Sequence, residues 1–225
     1  MTIENSVSKK ILASDDLESW SDPRLTTPEH LKKIVVEYNR LLDIYSNARE
    51  SISEGKSRDE AGKLFEGVVD YMITNLDNGY RSIIGRNDFL TINAGNTLRD
   101  NLQVDRHIVK NDNNQTRVAF VECKTYLDSP YLLRAVFNMW EITKALEQIG
   151  ESTENVKFIV FAGQNAVSQQ STYYFQYIFK EMTGSNLDIF FINSVKSRSS
   201  SRPLYEFKYQ LDLLELQRFL DLFFS

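Results

Sequence analysis

The feature that most constrains the fold is a run of four consecutive apolar residues, 118–121, which ends in Glu122-Cys123-Lys124. A strand with apolar side chains on both faces belongs in the middle of a sheet rather than at its edge. The preceding run, 102–109, is also of β type, and the Asn-rich segment 110–115 separates the two runs. The sequence therefore predicts an antiparallel hairpin whose second strand is central in its sheet.

Three ionisable side chains are predicted to meet where this strand ends. Because side chains alternate along a strand, Glu122 and Lys124 point to one face and Cys123 to the other. Hairpin pairing places Asp105, on the partner strand, near the same strand end. Two carboxylates held this close repel each other, and a divalent cation removes the repulsion. A neighbouring lysine can orient an attacking water and offset developing negative charge.

The ligand types at this strand end favour a hard cation. Carboxylate oxygens, the backbone carbonyl of Cys123 and water suit Mg²⁺, with Mn²⁺ as a substitute. The chain has two histidines and one cysteine, so it offers no His/Cys cluster that would prefer Zn²⁺. The sequence therefore predicts Mg²⁺ between Asp105 and Glu122.

An acidic residue on one strand and ExK at the end of the next resemble the motif of the PD-(D/E)xK nuclease superfamily. Asp105 matches the first acid and Glu122-Cys123-Lys124 matches ExK, while Val104 stands where proline is frequent. The resemblance covers about residues 58–195 and looks most like a type II restriction endonuclease. It implies that Asp105 and Glu122 bind Mg²⁺ and that Lys124 positions the water. Hydrolysis of double-stranded DNA would leave 5′-phosphate and 3′-hydroxyl ends.

Glu66 is a fourth candidate for the site. It lies in a helix that a capping box at 57–60 is predicted to open. Many members of the superfamily have an acidic residue in this helix that contributes to the metal site, so the resemblance implies that role for Glu66. The alternatives are a surface glutamate, or a substitute in Asp70, one helical turn further on.

Two segments are candidates for contact with DNA. Asn and Gln bind adenine N6 and N7 in a bidentate manner, so the amide-rich segment 164–171 is a candidate for reading A·T pairs through Gln164, Asn165, Gln169 and Gln170. The alternative is a turn followed by a helix cap. The serine-rich segment 194–202 has no acidic residue. We predict an arm that becomes ordered on DNA, rather than a flexible loop, with phosphate contacts from Lys196, Arg198 and Arg202.

The order of periodic segments is helix, strand hairpin, helix, strand, helix and strand. This order predicts an α/β fold with a mixed central β-sheet flanked by helices, and with extra helices at the N- and C-termini. Such a core is that of the restriction-endonuclease-like proteins. We predict a single domain, 1–225, with 57–195 as the catalytic core and 196–225 as a basic loop followed by a strand and a helix. The extension 1–56 is helical and serves either dimerisation or ordinary packing.

Composition limits the partners. The net charge of −5 argues against non-specific coating of nucleic acid, unless positive charge is concentrated in one cleft and metal neutralises the site. The single cysteine, the polar start of the chain and the lack of an apolar run of membrane-spanning length predict a cytoplasmic protein with neither a signal peptide nor an anchor. No glycine-rich phosphate loop follows a strand, so we expect no nucleotide cofactor.

The function expected from these observations is that of a type II restriction enzyme acting as a homodimer on a palindromic site, because twofold symmetry in the protein matches twofold symmetry in the DNA. One alternative is a structure-selective nuclease, such as a junction resolvase or a repair nuclease. Another is a non-catalytic DNA-binding protein in which the charges form a surface ion network. Exposed ion pairs contribute little to stability, so that alternative explains poorly why charges end an apolar strand.

Overall fold

The computed structural model describes residues 62–63, 65–67, 69–70, 73, 80–84, 92–94, 97–99, 102–110, 116–191, 218–219 and 221–223. The strands of these residues are β1 (Tyr80–Ile84), β2 (Ile92–Ala94), β3 (Thr97–Arg99), β4 (Arg106–Lys110), β5 (Thr116–Leu127), β6 (Lys157–Asn165) and β7 (Leu187–Phe191). They form a five-stranded sheet in the order β1-β4-β5-β6-β7 and a two-stranded sheet of β2 and β3.

Helices flank the five-stranded sheet. Helix α1 is described at residues 62–63, 65–67, 69–70 and 73, and α4 at residues 218–219 and 221–223. Helix α2 spans Ser129–Gln148, and the Asp128 side chain caps it by accepting a hydrogen bond from the backbone N–H of Tyr131. Helix α3 spans Gln169–Thr183, with Ser168 as its N-cap and Gly184 in the left-handed conformation at its end.

Strand β5 is the central strand, as its apolar run predicts. It pairs antiparallel with β4, where Arg106 lies opposite Val121, and parallel with β6, where Glu122 lies beside Val160. Because β5 has one antiparallel and one parallel neighbour, the sheet is mixed. The α/β class with a mixed central sheet is therefore confirmed.

The two faces of the sheet pack against different helices. On one face, Phe120 and Phe158 lie in a core cluster with α2 residues such as Met139 and with Phe179 of α3. On the other face, Phe161 contacts the rings of Phe65 in α1 and Phe219 in α4. This two-sided burial is what the uninterrupted apolar run of β5 requires.

Two strand boundaries differ from the prediction. Leu102 and Val104 were predicted to lie in the first strand of the hairpin, but β4 begins at Arg106 and both side chains are buried in the core without pairing. The alternating apolar residues of this segment are therefore explained by burial in the core and not by pairing with a neighbouring strand. The amide-rich segment 164–171 also begins within a strand, because Gln164 and Asn165 continue β6 and pair with Tyr126 and Leu127 of β5.

Several predictions fall on residues outside the described part of the chain. These are the N-terminal extension 1–56, the turn of the hairpin at 111–115, and the basic loop with its three candidates Lys196, Arg198 and Arg202. The described residues of α4 are helical, in agreement with a C-terminal helix. None of the described helices combines the length and apolar character needed to cross a membrane.

Candidate functional site

The side chain of Asp105 is hydrogen-bonded to the backbone of the central strand β5. The residue precedes β4, and its Oδ2 accepts a hydrogen bond from the backbone N–H of Cys123 at 2.7 Å. Strand β4 begins at Arg106, which lies opposite Val121. No backbone carbonyl of β4 is therefore placed to accept a hydrogen bond from the Cys123 N–H. The Asp105 carboxylate takes the place of that carbonyl, so its position is set by the sheet.

Lys124 bridges the two carboxylates that the sequence predicts to converge. Its Nζ lies 3.2 Å from Asp105 Oδ2 and 2.5 Å from Glu122 Oε2. Asn138, on α2, donates a hydrogen bond from Nδ2 to the other Glu122 oxygen at 3.2 Å. The structure thus brings Asp105, Glu122 and Lys124 together on the face of the sheet that α2 covers.

Burial sets the protonation behaviour of these groups. Desolvation raises the pKa of Glu122 and the charge of Asp105 adds to the effect, while Lys124 and Asn138 oppose it. For Lys124, burial acts to lower the pKa, but the charges of Glu122 and Asp105 outweigh it and raise the pKa. Burial also raises the pKa of the Cys123 thiol well above its ordinary value. Lys124 is therefore a stable cation at neutral pH, and Cys123 is a neutral thiol.

The donor set suits Mg²⁺. Asp105 and Glu122 are hard oxygen donors that already share one cationic centre, the Lys124 ammonium. Within the described ranges, no group of three or more His, Cys, Asp or Glu side chains is placed to hold a metal ion. Mg²⁺ in proteins commonly takes one or two carboxylates and keeps several waters, so two carboxylates with the Cys123 carbonyl and water fit it.

A polar cavity of about 380 Å³ opens beside these side chains. The sheet side of the cavity contributes Asp105, Glu122 and Lys124, and helix α2 contributes a polar stripe of Tyr131, Arg134, Asn138 and Glu141. Pockets of roughly 300–1,000 Å³ hold small molecules or fragments of larger ligands. The site is therefore a cavity large enough for part of a substrate, with the carboxylates and the lysine in its wall.

Glu66 lies on the opposite side of the sheet from the cavity wall formed by Glu122. Its Oε2 pairs with Arg106 at 2.5 Å, and Asp70 Oδ1 pairs with the same guanidinium at 2.7 Å. Burial raises the pKa of Glu66, and repulsion from the charge of Asp105 adds to the effect. A metal role for Glu66 stays a prediction.

Asn138 and Glu141 line the site, and Arg106 contacts the backbone of Asp105 next to it, although none of the three was predicted to belong there. Arg106 is buried and also donates a hydrogen bond from Nη1 to the backbone carbonyl of Asp105 at 2.7 Å. Asn138 and Glu141 interrupt the apolar pattern of α2 three residues apart, and Glu141 is only 4% exposed. Polar residues at helical spacing inside an apolar helix were the available signal for these two. For Arg106, the sequence holds no comparable signal.

The amide-rich segment is split between a strand and a helix. Gln164 and Asn165 end β6 beside Tyr126 and Leu127, at the same end of the sheet as Lys124. Gln169 and Gln170 are exposed in the first turn of α3, and Gln169 donates a hydrogen bond to the Tyr173 hydroxyl at 2.9 Å. A helix cap at Ser168 is present, as the alternative expects. Base recognition by the four amides stays a prediction.

The fold and the site together define an α/β protein with a carboxylate–lysine site on the C-terminal half of its central strand. No family model matches the chain, and no curated protein matches it.

Proposed function

We propose that the protein is an Mg²⁺-dependent DNA endonuclease with a restriction-endonuclease-like core, acting as a homodimer at a palindromic site in the manner of a type II restriction enzyme. The observation that carries the proposal is the bridge formed by Lys124 between Asp105 and Glu122, in the wall of a polar cavity. An acid on one chain segment and ExK ending the neighbouring strand is the pattern of the PD-(D/E)xK nucleases.

In this proposal each side chain has a distinct task. Asp105, Glu122 and the Cys123 carbonyl would hold Mg²⁺, which would supply Lewis-acid activation of the phosphodiester and of the attacking water. The Lys124 ammonium orients the attacking water and offsets the negative charge that develops on the phosphorus oxygens. Asn138 holds the Glu122 carboxylate in place through its hydrogen bond to Oε1. The products are 5′-phosphate and 3′-hydroxyl ends.

A purely structural ion network is a weaker explanation of the same residues. The Glu122 side chain is 4% exposed and the Lys124 side chain 20%. Taking such charges out of water costs about as much as their attraction returns, so a buried pair is a poor source of stability. A cluster that stabilises little, and that lines a cavity, is better explained by binding or catalysis.

Cleavage of plasmid DNA tests the proposal. Incubation with Mg²⁺ is expected to give discrete fragments whose mapped ends define one palindromic site, and EDTA abolishes cleavage. Asp105→Asn and Lys124→Ala are expected to lose at least about a hundredfold in rate, the usual effect of removing a group that stabilises developing charge. Lys144→Ala, on the same helix as Asn138 but outside the cavity, serves as the matched control and keeps the wild-type rate.

The proposal is wrong if both site variants cleave as fast as the wild type. A preference for branched DNA over linear DNA of any sequence instead assigns the same site to a junction resolvase or a repair nuclease. Binding of DNA without cleavage, with no uptake of Mg²⁺ in a calorimetric titration, assigns the protein to the non-catalytic class.

A further inference from the structure

Helix α2 presents the cation of Arg134 to the cavity. It carries two basic residues, Arg134 and Lys144. Lys144 pairs with Glu147 at 2.7 Å, outside the cavity. Arg134 lines the cavity, and its guanidinium has no ion pair or hydrogen bond with any residue in the part of the chain that the structure describes. Arg134 is therefore available to an anionic ligand.

The position of Arg134 on the helix is shared with other polar residues of the cavity. Tyr131, Arg134, Asn138 and Glu141 follow one another at helical spacing, so they form one stripe along the helix. Asn138 in this stripe contacts Glu122, and Arg134 and Tyr131 lie one and two turns, respectively, nearer to the start of α2. The stripe thus extends from the carboxylate–lysine site toward the rim of the cavity.

The formal charge of the described cavity residues changes sign when a divalent cation is present. Among the residues that the structure describes, the cavity wall has three acidic side chains, Asp105, Glu122 and Glu141, and two basic ones, Lys124 and Arg134. With formal charges, acids outnumber bases by one, and a divalent cation makes the cavity positive by one. A metal-loaded cavity therefore attracts an anion, and Arg134 marks where that anion lies away from the metal.

We propose that Arg134, with Tyr131 beside it, binds the phosphate next to the scissile phosphate of the DNA strand. The assignment rests on the proposed nuclease function, because it takes the carboxylate–lysine site as the place of cleavage. Arginine suits the role since its planar guanidinium donates two parallel hydrogen bonds to phosphate oxygens. The cavity volume of about 380 Å³ leaves room for more than one phosphate group.

The salt dependence of DNA binding tests the phosphate contact without knowledge of the recognition sequence. Binding of a short duplex is measured in Mg²⁺ in the Lys124→Ala background, so that both carboxylates can still hold the metal while cleavage is too slow to compete. Each lost phosphate contact reduces the slope of log K against log salt concentration by about 0.9. We expect Arg134→Gln to reduce the slope by about 1, and Arg134→Lys and Lys144→Gln to leave it unchanged. An unchanged slope in Arg134→Gln overturns the proposal.

The register of the contact is tested with neutral linkages. Once the cut is mapped, one methylphosphonate at a time replaces the phosphates on either side of it. The neutral linkage adjacent to the cut is expected to weaken binding by roughly tenfold in the presence of Arg134, and to have no further effect in Arg134→Gln. Equal losses in both proteins at every linkage overturn the assignment.

Failure of the Arg134 assignment can be distinguished from failure of the nuclease proposal. If the wild type binds DNA but never cleaves it, the nuclease proposal fails, and the salt slope still decides whether Arg134 contacts phosphate. If the wild type cleaves and Arg134→Gln has the wild-type slope, the nuclease proposal stands and the Arg134 assignment fails. Circular dichroism of Arg134→Gln verifies that the exposed substitution leaves the fold intact.

Discussion

Replacement of Lys124 by methionine removes the cation that two carboxylates share and keeps a side chain of similar length. The Glu122 carboxylate, 2.5 Å from Lys124 Nζ and 4% exposed, then loses its counter-ion. Removing one partner of a buried ion pair costs about 3–5 kcal/mol. We expect the lower end, about 3 kcal/mol, because Asn138 still donates to Glu122 and the carboxyl can take up a proton. In a chain of this size, the melting temperature falls by roughly 6–12 °C.

Mg²⁺ is expected to restore most of this loss, because the metal replaces the missing ammonium between the carboxylates. A ligand at about one hundred times its dissociation constant stabilises the folded state by about 2.7 kcal/mol. The difference in unfolding free energy between Mg²⁺ and EDTA should therefore be larger in Lys124→Met than in the wild type, where the ammonium occupies the same oxygens.

Urea unfolding followed by circular dichroism, once in EDTA and once in Mg²⁺, measures both effects. Lys144→Met is the matched control, since its pair with Glu147 involves side chains that are 34% and 45% exposed. It should lose less than about 1 kcal/mol and show no additional response to Mg²⁺. Mg²⁺ that changes the stability of neither the wild type nor Lys124→Met would refute a shared metal site.

Two further predictions concern the charges around the site. Burial raises the pKa of Glu122 above its ordinary value of 4.5, so above pH 4.5 the folded protein holds more protons than the unfolded chain, and the free energy of unfolding falls as pH rises through this window. The free energy of unfolding of the wild type, measured in EDTA relative to that of Glu122→Gln, should therefore fall as pH rises from 4.5 toward the raised pKa of Glu122. A difference between the two proteins that does not change with pH would contradict this. Arg106→Met leaves Glu66 and Asp70 without the guanidinium that both contact. It should cost about 2 kcal/mol, since solvent partly screens the two acids, and replacing both acids by leucine as well should recover most of the loss in urea unfolding.

The core of the sheet and the three charged residues were predictable because they depend on short-range rules. Four apolar residues in sequence require burial on both faces, which places β5 in the middle of the sheet. The period of two then sends Glu122 and Lys124 to one face, and hairpin pairing brings Asp105 to them. None of these steps needs information about distant parts of the chain.

The remaining features depend on packing between distant segments. Arg106 looks like an ordinary polar strand residue, and only the docking of α1 provides Glu66 and Asp70 as its partners. Leu102 and Val104 alternate like strand residues, yet they fill a core beneath α2 without joining the ladder. Asn138 reaches Glu122 only because α2 crosses that face of the sheet. Local periodicity does not encode the relative placement of such elements.

The hydrogen bond from the Cys123 N–H to Asp105 has a consequence for how an ion is captured. A carboxylate already anchored to the backbone has little rotational freedom left to lose, so the entropic penalty of coordination is reduced in advance. The same hydrogen bond determines which substitution of Asp105 is informative. Asparagine at position 105 retains an oxygen that accepts from the Cys123 amide. Alanine would leave that amide without its acceptor, so a loss of activity could not be separated from a disturbed sheet.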